Sequence, residues 1–222
     1  MSGSGSVRLF RGREPTESEI SSRPLSRDAA DLILVDESNS FSSKGDDVRR
    51  NLTIVCTRVR DTRRFEKTAD LLPSKRGVRT KYSNSKNSDR VKILKDIASQ
   101  DVDIVESHRP IDYDDVKASE EKKKLYRRVL SEAVGKALDV DPAKDADIVL
   151  DTPPVSIDKE LKTFARHLED TGRKVRWFET RRSASDKYLQ IHDFATGAVS
   201  DHIEGVDEQD KYEIIRKRVR ET

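Results

Sequence analysis

The chain has 222 residues, 33% of them hydrophobic and 39% charged, with 44 Lys and Arg set against 42 Asp and Glu for a net charge of +2. That length suits one domain with a sizeable core and leaves little room for two, while the charged fraction implies a charge-covered surface with some disordered chain, or a thermophilic origin. The near-balance of charge excludes a global attraction to nucleic acid, so any basic surface must be local.

"MSGSGS" reads as a flexible linker and "REPTESEISSRPLSRD" lacks apolar periodicity, so residues 1–28 are expected to form a tail and 29–222 a single domain. The unbroken run Leu32, Ile33, Leu34 and Val35 predicts a first strand over 32–37, buried on both faces. "NLTIVCTRV" (51–59), rich in β-branched residues, predicts a second, and the turn-rich "SNSFSSKGDD" between them implies a hairpin. "SDRVKILKDIAS" opens on Ser88 as N-cap and places Val91, Leu94 and Ile97 on one helical face. A short strand over 101–110 follows. "SEEKKKLYRRVLSEAVGKAL" repeats apolar pairs from Leu125 and Tyr126 to Ala137 and Leu138, which predicts a strongly amphipathic helix. "ADIVLDTPP" (146–154) reads as a strand stopped by two prolines, "DKELKTFARHLEDTG" as a helix ending at Gly172, and "KVRWFET" as a strand. "SDKYLQIHDFATGAVSDHIEG" and "QDKYEIIRKRVRE" both read as helices. Strands first, then strands and helices in alternation, predict an α/β sheet flanked by helices. The order fits a ribonuclease-H-like mixed sheet, with three antiparallel strands at the start and parallel additions after them.

Three apolar strands run into an acid: Val35 into Asp36, Val105 into Glu106, and Leu150 into Asp151. In a parallel arrangement such ends meet at one edge of the sheet, where acids distant in sequence converge. Asp193 shares a predicted helical face with Gln190 and Gly197, and a glycine there lets backbone or ligand approach closely. Clustered carboxylates repel one another unless a cation neutralises them or protons are taken up. Oxygen-only ligands suit Mg²⁺ or Mn²⁺, and two such ions about 4 Å apart activate a water and stabilise the leaving oxygen in phosphodiester cleavage. Strand-end turns and surface ion pairs are the simpler explanation of the same acids.

"LVDES" together with "LQIHDFATGAV" resembles the family catalogued as domain of unknown function 3800, whose members open on a strand ending in Asp-Glu-Ser and close on a helix carrying Leu-Gln-x-x-Asp. Here these are Asp36, Glu37 and Ser38, then Leu189, Gln190 and Asp193, with Asp151 supplying the aspartate of a later strand. The resemblance spans roughly residues 31–205 and implies a ribonuclease-H-like, metal-dependent nuclease acting on DNA or RNA. It implies two Mg²⁺ or Mn²⁺ ions, with Asp36 bridging them, Asp151 and Asp193 each completing one, and Glu37 or Glu106 as a substitute ligand. Gln190 would orient a ligand or support Asp193, and Ser38 would position the backbone at the strand exit. Lys81 matches the lysine of the family's Glu-x-Lys segment, but Arg79 stands near the place of its acid, and His192 replaces the usually small residue before Asp193. These departures keep open a binding or scaffold protein of the same fold without chemistry. A small-molecule phosphatase using the same metals is a third reading.

Arg181, Arg182 and Lys187 flank the predicted site and are the expected phosphate contacts, which makes nucleic acid the expected partner. Trp177 and Phe178 read as core. The four histidines show no zinc spacing, although His108 and His192 are candidates to approach the acids as proton carriers, and His167 reads as a helix-surface residue. The single cysteine, Cys56, excludes an internal disulfide framework and reads as buried and inert in a reducing compartment. No phosphate-cradling glycine loop or nucleophile elbow supports an NTPase or α/β-hydrolase. No apolar stretch reaches the roughly 20 residues that span a bilayer, and the first residues lack a signal-peptide core, so a cytoplasmic protein without membrane contact is expected.

Overall fold

Ile33, Leu34 and Val35 are fully buried because their strand lies inside a six-stranded sheet. The computed structural model describes residues 7–11, 13–17, 30–38, 51–73, 80–111, 119–155, 157–206 and 210–220. Strands β2 (Asp31–Ser38), β3 (Asn51–Val59) and β4 (Val102–Pro110) form an antiparallel meander. On the other side of β2, β5 (Ala146–Asp151) and then β6 (Val175–Arg181) are added in parallel. This is the mixed sheet expected from the sequence, an antiparallel start with parallel additions, extended by β1 (Arg8–Phe10), which pairs antiparallel with β6.

The strand pleat sorts side chains between two helical layers. Ile33, Val35, Cys56, Ile148 and Leu150 pack against α3 (Ser119–Asp139) and α4 (Asp158–Asp170). Leu34, Val55, Ile104 and Val149 pack on the other face, under α1 (Thr62–Lys67), α2 (Asn87–Ala98), α5 (Lys187–Ile203) and α6 (Lys211–Ile215). Arg58, itself buried, fastens α3 to the sheet: its Nε donates to Asp31 at 2.7 Å and its Nη1 to the carbonyls of Ala137 and Leu138 at 3.1 and 3.3 Å. These carbonyls lie in the last turn of the helix, which lacks intrahelical donors and favours a cation.

The tail expected over residues 1–28 gives way at Val7. Val7 and Leu9 are buried, and Val7 exchanges hydrogen bonds with Thr180, through its carbonyl at 2.9 Å and its N–H at 3.0 Å. A strand of three residues is too short for a periodicity to show. The predicted hairpin link, 39–50, lies outside the described residues, although β2 and β3 do pair antiparallel. Helix α2 starts one residue before Ser88, after Lys86, and has no side-chain cap. Helix α4 ends at a Gly172 with φ of 76°, as its sequence implied.

The last predicted helix is cut short. After α6, Arg216–Arg218 form a 3-10 turn, and Val219 then bridges to Ile104 of β4. Along that outer edge the Ile104 carbonyl accepts from the Arg220 N–H at 2.8 Å, the Glu106 carbonyl from Lys136 at 3.1 Å, and the His108 carbonyl from Arg109 at 2.8 Å. Among the described residues no helix is long and apolar enough to cross a membrane.

Candidate functional site

The alternation along β2 that buries Leu34 under α5 also points Asp36 to that face and sends Glu37 to the α3 side. The parallel register, Leu34 to Val149 and Val35 to Leu150, carries Asp151 to the position beside Asp36 on the same face. Helix α5 crosses this face with Leu189, Ile191 and Phe194 buried, and Asp193 is half-buried between them. The sequence expectation that Asp36, Asp151 and Asp193 share one neighbourhood matches this placement.

Asp36 is only 4% exposed, and the Glu37 N–H donates to its Oδ1 at 2.9 Å. Burial, followed by the charges of Glu37, Asp151 and Asp193, pushes its carboxyl well above the usual carboxylate range. Glu37 is pushed up to about 8, chiefly by burial and then by Asp151. The Tyr126 hydroxyl, which donates to its Oε2 at 3.2 Å, and the Lys81 charge offset part of that rise. Without a cation, the strand exit therefore holds protons at a pH where ordinary carboxylates are ionised.

The other two aspartates are tied to neighbouring segments. Asp151 Oδ1 accepts from the N–H groups of Thr152 at 2.8 Å and Ser183 at 3.0 Å, and its Oδ2 accepts from the Ser183 hydroxyl. Asp193 Oδ2 accepts from the Tyr82 N–H at 2.5 Å. The Tyr82 hydroxyl in turn donates to Asp201 Oδ2 at 2.9 Å. Its ring covers Gly197, where an added Cβ would lie 2.2 Å from Tyr82 Cδ1. The glycine on this face thus admits a tyrosine of the same chain. Among the described residues, no three Asp, Glu, His or Cys side chains are grouped as a ready-made cation cage.

Several expected roles change. Gln190 turns away from the expected role of supporting Asp193: half-buried, it donates from Nε2 to the carbonyls of Ser183 and Ala184 at 2.9 and 3.4 Å. Glu106 does not end its strand, because β4 continues to Pro110. It is in register with Asp36 through Val55, two strand spacings or roughly 10 Å away, and pairs with His108 at 2.9 Å. His192 is fully buried, with Nδ1 at 2.9 Å from Thr57 Oγ1 and Nε2 at 3.1 Å from the Val55 carbonyl. Since Nε2 must donate to that carbonyl, Nδ1 accepts, and burial lowers the ring to about 4. It is a neutral core histidine and carries no proton to the acids.

Arg181 is not a free phosphate contact. It pairs with Glu179, and with Asp186 at 2.6 Å, and these acids hold its guanidinium in place. Arg182 and Lys187 are exposed and make no ion pair among the described residues, Lys81 is half-buried, and Ser38 closes β2 opposite Thr53. Arg79 lies outside the described residues. Trp177 and Phe178 are buried core, His167 is exposed on α4, and burial pushes the Cys56 thiol up, consistent with an inert cysteine. Ser183, Tyr82 and Tyr126, which hold the acids, were not foreseen. The Ser183–Asp186 segment does carry the sequence pattern of a helix start, and Asp186 caps α5 by accepting from the Leu189 N–H at 3.1 Å.

No family model matches the chain, and no curated protein does. Among solved structures it aligns with a chain of the PCNA:RNase HII complex from Archaeoglobus fulgidus at 13% identity, with a TM-score of 0.47 over 84% of this chain and 87% of that one. A likeness this loose says nothing about chemistry.

Proposed function

We propose that the chain is a divalent-metal-dependent phosphodiesterase acting on DNA or RNA, a member of the domain of unknown function 3800 family working in the cytoplasm. The observation that carries this reading is Asp36. It is a buried carboxyl at a strand exit, beside Glu37, Asp151 and Asp193, whose charges add to burial in raising it well above the usual carboxylate range. Such a group is costly unless it is protonated or faces a cation.

The donors suit Mg²⁺ or Mn²⁺, because they are all carboxylate oxygens. Asp36, Asp151 and Asp193 would hold the metal, with Glu37 alongside. A bound ion there supplies Lewis-acid activation of water and neutralises charge on the phosphodiester. The chain's own residues orient the carboxylates, and Asp36 and Glu37 would have to be deprotonated to hold a cation. Lys81, Arg182 and Lys187 would contact the phosphate backbone.

A second reading has its own support. Asp151 and Asp193 are both satisfied by internal donors, as in a protein that keeps the fold and binds nucleic acid or a protein partner without cutting. Labelled single- and double-stranded DNA, RNA and an RNA:DNA hybrid, incubated with Mg²⁺ or Mn²⁺, distinguish the two. Cleavage stopped by EDTA and by Asp151→Asn supports the enzyme. Binding that survives EDTA, with no cut in any substrate, favours the scaffold.

A further inference from the structure

Asp151 is set by a turn that is itself held by another helix. β6 ends at Arg181, level with Asp151 of β5. The chain then makes a short 3-10 turn, Ser183–Ser185, folding Ser183 back over the end of β5. Ser183 is 1% exposed and gives both its donors to Asp151, the N–H to Oδ1 at 3.0 Å and the hydroxyl to Oδ2. The turn is closed by its own hydrogen bonds, from the Ser185 N–H and hydroxyl to the Arg182 carbonyl at 3.0 and 3.1 Å, and is tied to the helix that follows. Its carbonyls at Ser183 and Ala184 accept from Gln190, one turn into α5. Asp186 joins the turn to the same helix from the other side, by capping Leu189 and by pairing with Arg181 at 2.6 Å. Three residues beyond Gln190 on that helix stands Asp193.

We infer that Ser183 and Gln190 are positioning residues, which act in series to fix the Asp151 carboxylate relative to Asp193. The inference rests on the metal-site reading above. Gln190 does not touch the acids. It holds the turn, and the turn's serine holds both oxygens of Asp151 in one orientation. Helix α5 thereby supplies one carboxylate directly and orients a second through two hydrogen-bonded links. Hydrogen-bonding partners that orient ligating carboxylates typically contribute about 10- to 100-fold to metal affinity.

The test follows Mn²⁺ binding through the free-ion resonance, on the full chain and on Ser183→Ala, Ser183→Thr, Gln190→Met and Asp151→Asn. Removing the serine hydroxyl is expected to weaken binding about 10-fold or more, threonine to restore it, and Gln190→Met to weaken it without adding to Ser183→Ala in the double variant. Ser183→Ala binding as the wild type does, while Asp151→Asn loses the ion, overturns the positioning role. So does a double variant whose effects simply add. If the wild type binds no Mn²⁺, the metal-site reading fails on its own, and the relay is judged without metal from the ¹³C resonance of the Asp151 carboxyl. A shift in Gln190→Met, a residue that does not contact Asp151, supports the relay; an unmoved resonance overturns it.

Discussion

Tyr82 occupies the space above Gly197 that any side chain there would need: a Cβ would stand 2.2, 2.4 and 2.8 Å from three of its ring atoms. The ring also meets Phe194 edge-on with centroids 6.0 Å apart, carries the Arg90 guanidinium 4.4 Å from its centroid, and directs its hydroxyl to Asp201. Gly197→Ala must displace it, and is expected to cost about 1–3 kcal/mol, the usual range for overpacking. In a Tyr82→Ala background the same change should be neutral or stabilising, since alanine favours a helix by about 1 kcal/mol over glycine. Urea unfolding of the four chains checks the cycle, and an equal cost in both backgrounds would remove Tyr82 from the explanation.

Stability of the metal-free chain should fall as pH rises. Asp36 and Glu37 have folded-state pKa values above their unfolded ones, so the folded chain holds more protons over the interval between. Their stabilising contribution is complete below the ordinary carboxylate range and is lost as pH climbs, for Glu37 through about 8. Thermal melts from pH 5 to 9 should show this decline, Glu37→Gln should flatten it, and Mn²⁺ should restore stability most strongly at the alkaline end. A metal-free melting temperature that rises over the same interval contradicts the assignment.

Much of this was legible in the chain itself, and the residues show where legibility ended. The run from Leu32 to Val35 marks a strand covered on both sides, and parallel neighbours with acids at their exits bring Asp36 and Asp151 together without knowledge of any contact. Glu106 looked equivalent, but an acid after an apolar run does not end a strand, and pairing with β3 continues to Pro110. The hydrogen bonds from Ser183 and Tyr82 join positions 32 and 111 residues apart, and hydroxyls and backbone N–H groups leave no periodic trace. Helix periodicity correctly put Gln190, Asp193 and Gly197 on one face, but it was silent on what would cover that face.

Leu9→Ala separates a tail from a strand. Leu9 is completely buried, opposite Phe178 of β6, so its truncation should cost about 2–5 kcal/mol as in other cores. The urea midpoint measures this directly. A change of a few tenths of a kcal/mol would return these residues to the tail.

Arg58→Met tests the buried fastening of α3. The substitution leaves Asp31 without its partner, and removing one side of a buried ion pair typically costs about 3–5 kcal/mol. Adding Asp31→Asn should recover part of that loss. Calorimetry or urea unfolding of the single and double variants reads both steps, and a single variant as stable as the wild type would show that water reaches the pair.

The outer margin of β4 has a consequence for how copies of the molecule meet. Its outward carbonyls at Ile104, Glu106 and His108 are engaged by Arg220, Lys136 and Arg109, and Pro110 brings no N–H to the end of the row. The opposite margin is a strand of three residues. Open sheet borders are where proteins polymerise edge to edge, and cations, prolines and short strands are the devices that prevent it. Among the described residues, strand addition is thus hindered on one side and has little length to use on the other, which leaves the helical faces as the broader surfaces on which two copies could meet.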